Sequence, residues 1–501
     1  MYPVLPLVCE LALLDAAQTR SLEQSASASL PPHALMRRAG ESAARLALAL
    51  APHVQHVWIA AGPGNNGGDG LEAALCLQAR GKAVEVSLIG DAARLPADAA
   101  DALARAHAAG VSIGAAPEPA ETPGLAIDAL LGVGANRAPT GALATCIRAL
   151  NALHCPVLAV DLPSGLHAAT GQALGDDCVD ASHTLALLAL KPGLFTGSGR
   201  DHSGAVWFDA LGVDNRIDQP AAWLSGPAGT LPRRHAQHKG SFGDVAIVGG
   251  APGMSGAALL AARAAHAAGA GRVHVTLLDG LRSTAHIDPI RPELMFRDDC
   301  LRSRAEVLAR TTVVCGCGGG DAVRASLPRV ISLAHRLVLD ADALNAIAAD
   351  TTLAQLLHAR SASDRGTVLT PHPLEAARLL ACTTTEVQAD RLRAAQELAD
   401  RFHCVIVLKG SGSVIAAPGN VARINSTGNA ALASSGTGDV LAGWLGGRWA
   451  QMTNGDEAAA AFTAARQAVA EHGAAAEPQP AGALRAGDLI ERLHAGRHLA
   501  G

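Results

Sequence analysis

Apolar and polar positions along the chain fall into two successive α/β series. Residues 34–50 place Leu35, Met36, Ala39, Ala43 and Leu46 at helical spacing, with Arg37, Arg38, Glu41 and Arg45 between them, which predicts an amphipathic helix. The apolar run 57–61 enters a glycine-rich loop, 71–80 follows as a helix and 84–89 as a second strand. Strand, loop, helix, strand is a βαβ unit and predicts a parallel sheet. Further strands are expected at 124–130, 157–160, 183–190 and 205–208. Between 209 and 234 Pro and Gly recur and periodicity is lost, so a boundary is placed near 222, giving domains 1–222 and 223–501. A second alternation then starts, with strands at 245–248, 273–278, 311–314, 337–339, 367–369 and 405–408 and an Ala-rich helix at 256–268. The loop motifs of the two halves differ, so they are not repeats of one another.

Composition narrows the class. A chain of 501 residues exceeds one ordinary core. With hydrophobic residues at 49% and aromatics at 2%, the interior must be built from Ala, Leu, Val and Ile, and aromatic platforms for stacking nucleic-acid bases are missing. The net charge of -5 and the lack of a basic block also argue against nucleic acid as a partner. The 10 Cys are irregularly spaced, and Cys315 and Cys317 form a close pair without the second pair a zinc site needs. They are read as small buried hydrophobes in a reducing, cytoplasmic setting. The first residues carry no basic signal-peptide start, and no apolar run approaches the ~18 residues of a membrane helix, so no membrane association is expected.

Three loops of the first half carry candidate chemistry. Gly62-Pro63-Gly64-Asn65-Asn66-Gly67-Gly68-Asp69-Gly70 follows a strand and opens a helix, so its amides can approach an anion and the helix N-terminus adds positive charge. The oxygens of Asn65, Asn66 and Asp69 would serve a substrate or a monovalent cation. The competing reading is a turn rich in Asn, Asp and Gly for its left-handed backbone alone. Asp128 ends a strand ahead of Gly132-Val133-Gly134-Ala135-Asn136-Arg137, and Asp161-Leu162-Pro163-Ser164-Gly165 ends the next. Carboxyl ends of parallel strands share one edge, where ligands bind, so the three loops should converge.

These motifs resemble the NAD(P)H-hydrate epimerase family over most of residues 30–215. The resemblance implies a Rossmann-like three-layer α/β/α domain. It implies that Asn65, Asn66, Gly67, Gly68, Asp69 and Gly132, Val133, Gly134, Ala135, Asn136, Arg137, Ala138 hold the hydrated nucleotide. It further implies that Asn66, Asp128 and Ser164 ligate K+ and that Asp161 is the catalytic acid/base at C6 of the nicotinamide ring.

In the second half, Gly436-Thr437-Gly438-Asp439 precedes an apolar helix. Small residues can aim amides at a transferring phosphoryl group while Asp439 accepts a proton from a hydroxyl. An N-cap aspartate is the plainer alternative. Lys409-Gly410-Ser411-Gly412-Ser413 suits a nucleotide phosphate or ribose, and 370–375, 340–345, 249–256 and 316–321 are further strand-end loops. HKGSFGDVAIVGG, GMSGAALLAARAA, RPELM, LVLDADALN, LTPHPLE, LKG and GTGDVLAG, in this order, resemble the ADP/ATP-dependent NAD(P)H-hydrate dehydratase family, with a ribokinase-like α/β/α fold. The resemblance implies that Ala257, Gly320, His372 and Asp439 contact the hydrated nucleotide, that Lys409, Gly410, Ser411, Gly412, Ser413 and Gly438 contact ADP or ATP with Mg2+, and that Asp439 is the base. The expected protein is a homo-oligomeric bifunctional isomerase and lyase that repairs NAD(P)HX. The alternatives are a ribokinase-like vitamin or sugar kinase fused to a nucleotide-binding domain, and a catalytically silent nucleotide-binding scaffold.

Overall fold

The computed structural model describes the chain except residues 227–228, 230–232, 281–285, 298–304, 364, 453–454, 478–481 and 497–501. It separates into two compact units, Met1–Leu224 and Ser225–Gly501. Both are α/β.

In the first unit the sheet runs in the order Tyr2–Pro3, Ala205–Asp209, His183–Leu187, Val157–Val160, Leu125–Ala129, His56–Ala61, Ala83–Leu88, Ser112–Gly114. Every pair is parallel except the first, where Tyr2 lies opposite Phe208. Side chains alternate across a strand, and His56–Ala61 supplies two cores at once. Val57, Ile59 and Ala61 pack with helices Ala34–Leu50, Asn65–Gln78 and Ala97–Ala108, whereas Trp58 and Ala60 pack with helix Ala142–Asn151. Helices on both faces make the unit three layers deep. The helix at 34–50 forms as its periodicity predicts.

The second unit follows the same logic. Its strands run in the order Met295–Phe296, Arg272–Leu277, Asp244–Gly249, Thr311–Cys315, Arg336–Leu339, Gly366–Leu369, Val405–Leu408, Val414–Ala416, Arg423–Asn425. The strands up to Val405–Leu408 are parallel and the last two antiparallel. Val245 and Ile247 face helices Ser255–Ala267, Thr437–Ala450 and Glu457–Ala474; Ala246 and Val248 face Asp342–Ala349, Pro373–Leu380 and Arg391–Phe402. Alanine and glycine let two of these helices nearly touch. A Cβ at Gly443 would collide with the Ala261 carbonyl, and one at Gly447 would sit 2.7 Å from the Ala268 Cβ. Among the described residues no helix is long and apolar enough to cross a membrane.

Several boundaries differ from expectation. The helix expected at 71–80 starts at Asn65, so most of the presumed loop 62–70 is helical. None of its glycines has a positive φ, which removes the left-handed-turn reading. Gly62, Gly67, Gly68 and Gly70 are glycines because the space is occupied: a Cβ on Gly67 would strike the Gly62 carbonyl, and one on Gly68 would lie 2.5 Å from the Met36 methyl. The strand at 183 ends at Leu187, because Leu188 turns to φ 63. A short strand, Ala222–Ser225, lies inside the segment read as irregular.

Candidate active sites

In the first unit the strand-end loops converge as expected. A Cβ placed on Gly132 would stand 3.4 Å from the Asn66 Cβ and 3.6 Å from Asp161 Oδ2. The three loops border a cleft of about 960 Å³, lined by Asn65, Asn66, Asp69, Gly132, Val133, Gly134, Ala135, Asn136, Arg137, Ala138 and Asp161. Gly67 and Gly68 are buried behind this lining. Gly64 caps the helix without a side chain, so the first-turn amides have no capping partner there.

Asp161 sits at φ 69, a left-handed conformation that aspartate tolerates better than most residues. Its backbone N–H still bonds to Leu185 O at 2.8 Å, and its Oδ1 accepts from Leu187 N at 3.4 Å. The ammonium of Lys191 donates to Asp161 Oδ1 and to Leu187 O, the latter at 3.0 Å. Lys191 is fully buried, so its charge is compensated by this pair. Burial, then the Asp161 charge, pushes Asp69 well above the usual carboxylate range, and the same two causes raise Glu23. Lys191 and Glu23 both line the cleft, and neither was singled out from the sequence. Glu23 stands on helix Ala16–Ser29, whose one local signal is a capping box between Asp15 and Gln18. Lys191 sits in an otherwise bland KPGL segment, with nothing to mark it before the fold does.

Beside the cleft lies a buried polar knot. Asp128 and Ser164 are both 0% exposed. Asp128 accepts from Leu130 N at 3.1 Å, Ser164 N at 2.8 Å and Ser164 Oγ at 2.6 Å. Burial outweighs these bonds and raises its carboxyl to about 6. The Asn66 amide is buried with neither Oδ1 nor Nδ2 hydrogen-bonded. An unmet amide at that depth costs roughly 1–3 kcal/mol.

In the second unit Asp439 lies in the first turn of helix Thr437–Ala450, which Gly436 enters at φ 85. Gly436 is the cap, so Asp439 is not one. Burial first, then Asp340, raises Asp439 to about 6, while Cys317 and Lys409 oppose the rise. Lys409 Nζ donates to Asp340 Oδ1 at 2.7 Å and stands 3.9 Å from Glu375 Oε2. Asp340 also accepts from Thr370 Oγ1 at 2.8 Å, so it anchors Lys409. Gly438 passes close: a Cβ there would be 3.5 Å from Lys409 Nζ.

His372 caps helix Pro373–Leu380, its Nδ1 accepting from Leu374 N at 3.1 Å and Glu375 N at 3.3 Å. Its Nε2 faces Glu375 Oε1 at 3.2 Å. Burial, then Lys409, lowers the imidazole, while burial raises Glu375 to about 7. Gly320 donates its amide to Asp342 Oδ2 at 2.8 Å and packs near Met254, and Ala257 packs against the Gly318 turn. Ser413 Oγ closes the loop after Lys409 by donating to Gly410 O at 3.1 Å. Ser411 and Gly412 lie within that closed loop, and each makes a polar or electrostatic interaction.

Comparison with known proteins agrees with this division. A family model described as YjeF-related protein N-terminus matches residues 32–193, and one described as NAD(P)H-hydrate dehydratase matches 245–494. The bifunctional NAD(P)H-hydrate repair enzyme of Escherichia coli (strain K12) is 38% identical over 88% of this chain and 84% of its own. That of Coxiella burnetii is 35% identical over 96% of this chain and 98% of its own. Among solved structures, an ADP/ATP-dependent NAD(P)H-hydrate dehydratase from Bacillus subtilis, co-crystallized with ATP/Mg2+, is 31% identical over 53% of this chain and 92% of that one, with a TM-score of 0.43. With relatives this similar along nearly their whole length, and with both of its halves matched, the chain belongs to the family of bifunctional NAD(P)H-hydrate repair enzymes.

Proposed function

We propose that the N-terminal unit interconverts the R and S forms of NAD(P)HX, and that the C-terminal unit dehydrates the S form at the expense of ADP or ATP. The observation that carries this reading is the pair of half-buried aspartates among strand-end loops, Asp161 paired with Lys191 and Asp439 in the field of Lys409. Division at residue 222 into an epimerase and a dehydratase domain follows, and a cytoplasmic setting suits the substrate.

In the N-terminal cleft, Asp161 takes up a proton from solvent and passes it to the departing C6 hydroxyl, which leaves as water. The ring nitrogen's lone pair stabilises the cation, and water re-adds to the opposite face with return of a proton. Lys191 fixes the carboxylate that handles this proton. Asn65, Asp69 and the 132–138 loop bind and orient the nucleotide. Asn66, Asp128 and Ser164 suit K+: the buried, unpartnered amide, the carboxylate and the hydroxyl are hard oxygen donors. When bound, the ion would neutralise Asp128 and fix the three loops.

In the C-terminal unit, Asp439 takes the proton of the 6-hydroxyl while the terminal phosphoryl of ADP transfers to that oxygen and AMP leaves. The ring nitrogen then expels phosphate by breaking C6–O, and loss of a C5 proton restores the dihydropyridine. With ATP the leaving nucleotide is ADP. Positioning does most of the work in such transfers, so a modest base suffices. Lys409, Gly410, Ser411, Gly412, Ser413 and Gly438 would hold the nucleotide, while Ala257, Gly320 and His372 would hold the hydrate. Mg2+ would arrive on the nucleotide's phosphates, which requires no all-protein cage.

The test is incubation with mixed NADHX epimers plus ADP, ATP or neither, following released phosphate and the recovered absorbance of the dihydronicotinamide. Asp439→Asn is expected to abolish dehydration and spare epimerisation. A stable phosphorylated product in place of free phosphate would indicate a kinase instead.

A further inference from the structure

Cys317 has no part in the reaction as described, yet its thiol lies at the centre of the C-terminal site. The sulfur and one carboxylate oxygen each of Asp340 and Asp439 all fall within 4.8 Å of one another. Cys317 is 1% exposed. Its place is tightly set: its carbonyl accepts from Gly250 N at 3.0 Å, and Gly316 and Gly318 on either side take φ 122 and φ 58. A Cβ on Gly249 would collide with that same carbonyl. The turn therefore has little freedom to carry the sulfur elsewhere.

We infer that Cys317 is a positioning residue of the dehydratase centre, its thiol donating a hydrogen bond to the Asp439 carboxylate and holding it toward the substrate hydroxyl. The inference rests on the reading of Asp439 as the base. A thiol suits the task because it stays protonated there. Burial, then the charges of Asp439 and Asp340, pushes it well above its ordinary range, so it remains a donor wherever the carboxylate is ionised. The charged and titratable groups acting on Asp439 come from three strand ends: Asp340 and Asp342 follow Arg336–Leu339, Lys409 follows Val405–Leu408, and Cys317 follows Thr311–Cys315. Glu375, on helix Pro373–Leu380, stands 3.9 Å from Lys409 Nζ. His472 of helix Glu457–Ala474 donates to Thr437 O at 2.9 Å. Of these, Lys409 and Cys317 favour the ionised base. Lys409 gives one hydrogen to Asp340 and acts on Asp439 through its charge, whereas the thiol acts on Asp439 as a hydrogen-bond donor.

The experiment measures kcat/KM for dehydration of the S hydrate by the full chain, across about pH 5 to 8, where the acid limb reports ionisation of the free enzyme's base. Wild type, Cys317→Ala, Cys317→Ser and Asp439→Asn are compared, with epimerisation in the same preparations as a check on integrity. Cys317→Ala is expected to move the acid limb upward by about half a pH unit or more, and Cys317→Ser to bring it back toward wild type. An Ala limb that coincides with wild type, or a Ser limb displaced as far as Ala, overturns the role of the thiol while Asp439→Asn remains inactive. Dehydration surviving in Asp439→Asn overturns the base itself and the inference with it. A second measurement leaves the thiol in place. The infrared S–H stretch that disappears in Cys317→Ser should move to lower frequency as Asp439 ionises and stay fixed in Asp439→Asn. A band indifferent to pH in wild type refutes the hydrogen bond.

Discussion

The chemistry proposed for the cleft turns on a single contact, that of Lys191 with Asp161. The ammonium is sealed from solvent and committed to one carboxylate and one carbonyl. Lys191→Met keeps the bulk and removes the charge, leaving Asp161 without its partner among Asp69 and Glu23. Epimerisation is expected to fall by about 100-fold or more, as is usual when a positioned charge is lost at a reacting centre. Dehydration by the same preparation should persist, and chiral separation of the two hydrates checks both. Ser164→Ala addresses the polar knot beside the cleft. It strips a 2.6 Å hydrogen bond from a fully buried carboxylate, and a cost of about 1–3 kcal/mol is expected in chemical denaturation of the N-terminal unit. His472 supplies a pH signature for the other unit. Burial lowers its imidazole from the ordinary 6.5 to about 4, so the unfolded chain binds a proton that the folded chain refuses. Stability should therefore be lost as pH falls from about 6.5 to 4, by roughly 3 kcal/mol. His472→Gln should flatten that slope, read from urea midpoints at several pH values.

At the scale of elements, close helix contacts replace the bulky side chains this sequence largely lacks. Helices Ser255–Ala267 and Thr437–Ala450 meet through Gly443 and Gly447, with no room for even a methyl group at the first. Gly443→Ala is expected to destabilise the C-terminal unit by about 1–3 kcal/mol despite alanine's better helix propensity, because overpacking against a carbonyl outweighs it. Thermal or urea unfolding distinguishes the two effects by sign. The buried parallel strands were plain in the sequence, since runs such as Val157–Val160 and Val405–Leu408 are apolar throughout and end in polar or glycine-rich loops. The start of helix Asn65–Gln78 was not, because its glycines weigh against helix by propensity while the reason for them is a close approach that only the fold reveals. The terminal antiparallel strands Val414–Ala416 and Arg423–Asn425 are too short to show a period. The convergence of Asn66, Gly132 and Asp161 followed from the rule for parallel strand ends, whereas Glu23 owes its place to a segment of ordinary pattern, and Cys317, inside the glycine-rich loop 316–321, reads from the sequence as a small buried hydrophobe.

For the molecule as a whole, the two proposed activities predict a distinctive failure when one is silenced. Asp161→Asn should consume the S hydrate at the normal rate and then stall, leaving the R fraction to disappear only as fast as it epimerises unaided. Asp439→Asn should do the reverse, scrambling the two forms without regenerating coenzyme. Mixing the two variants should restore full clearance through a freely diffusing intermediate, and the time course of coenzyme recovery measures it. The unpartnered Asn66 amide has a practical consequence for such assays. If this amide and the buried Asp128 hold the proposed cation, the site will respond to whichever counter-ion the buffer supplies, and a cation that gives up its water cheaply will enter more readily than a smaller, tightly solvated one. Rates recorded in sodium salts would then understate the first reaction and leave the second untouched, so the choice of buffer salt is itself a variable of the experiment.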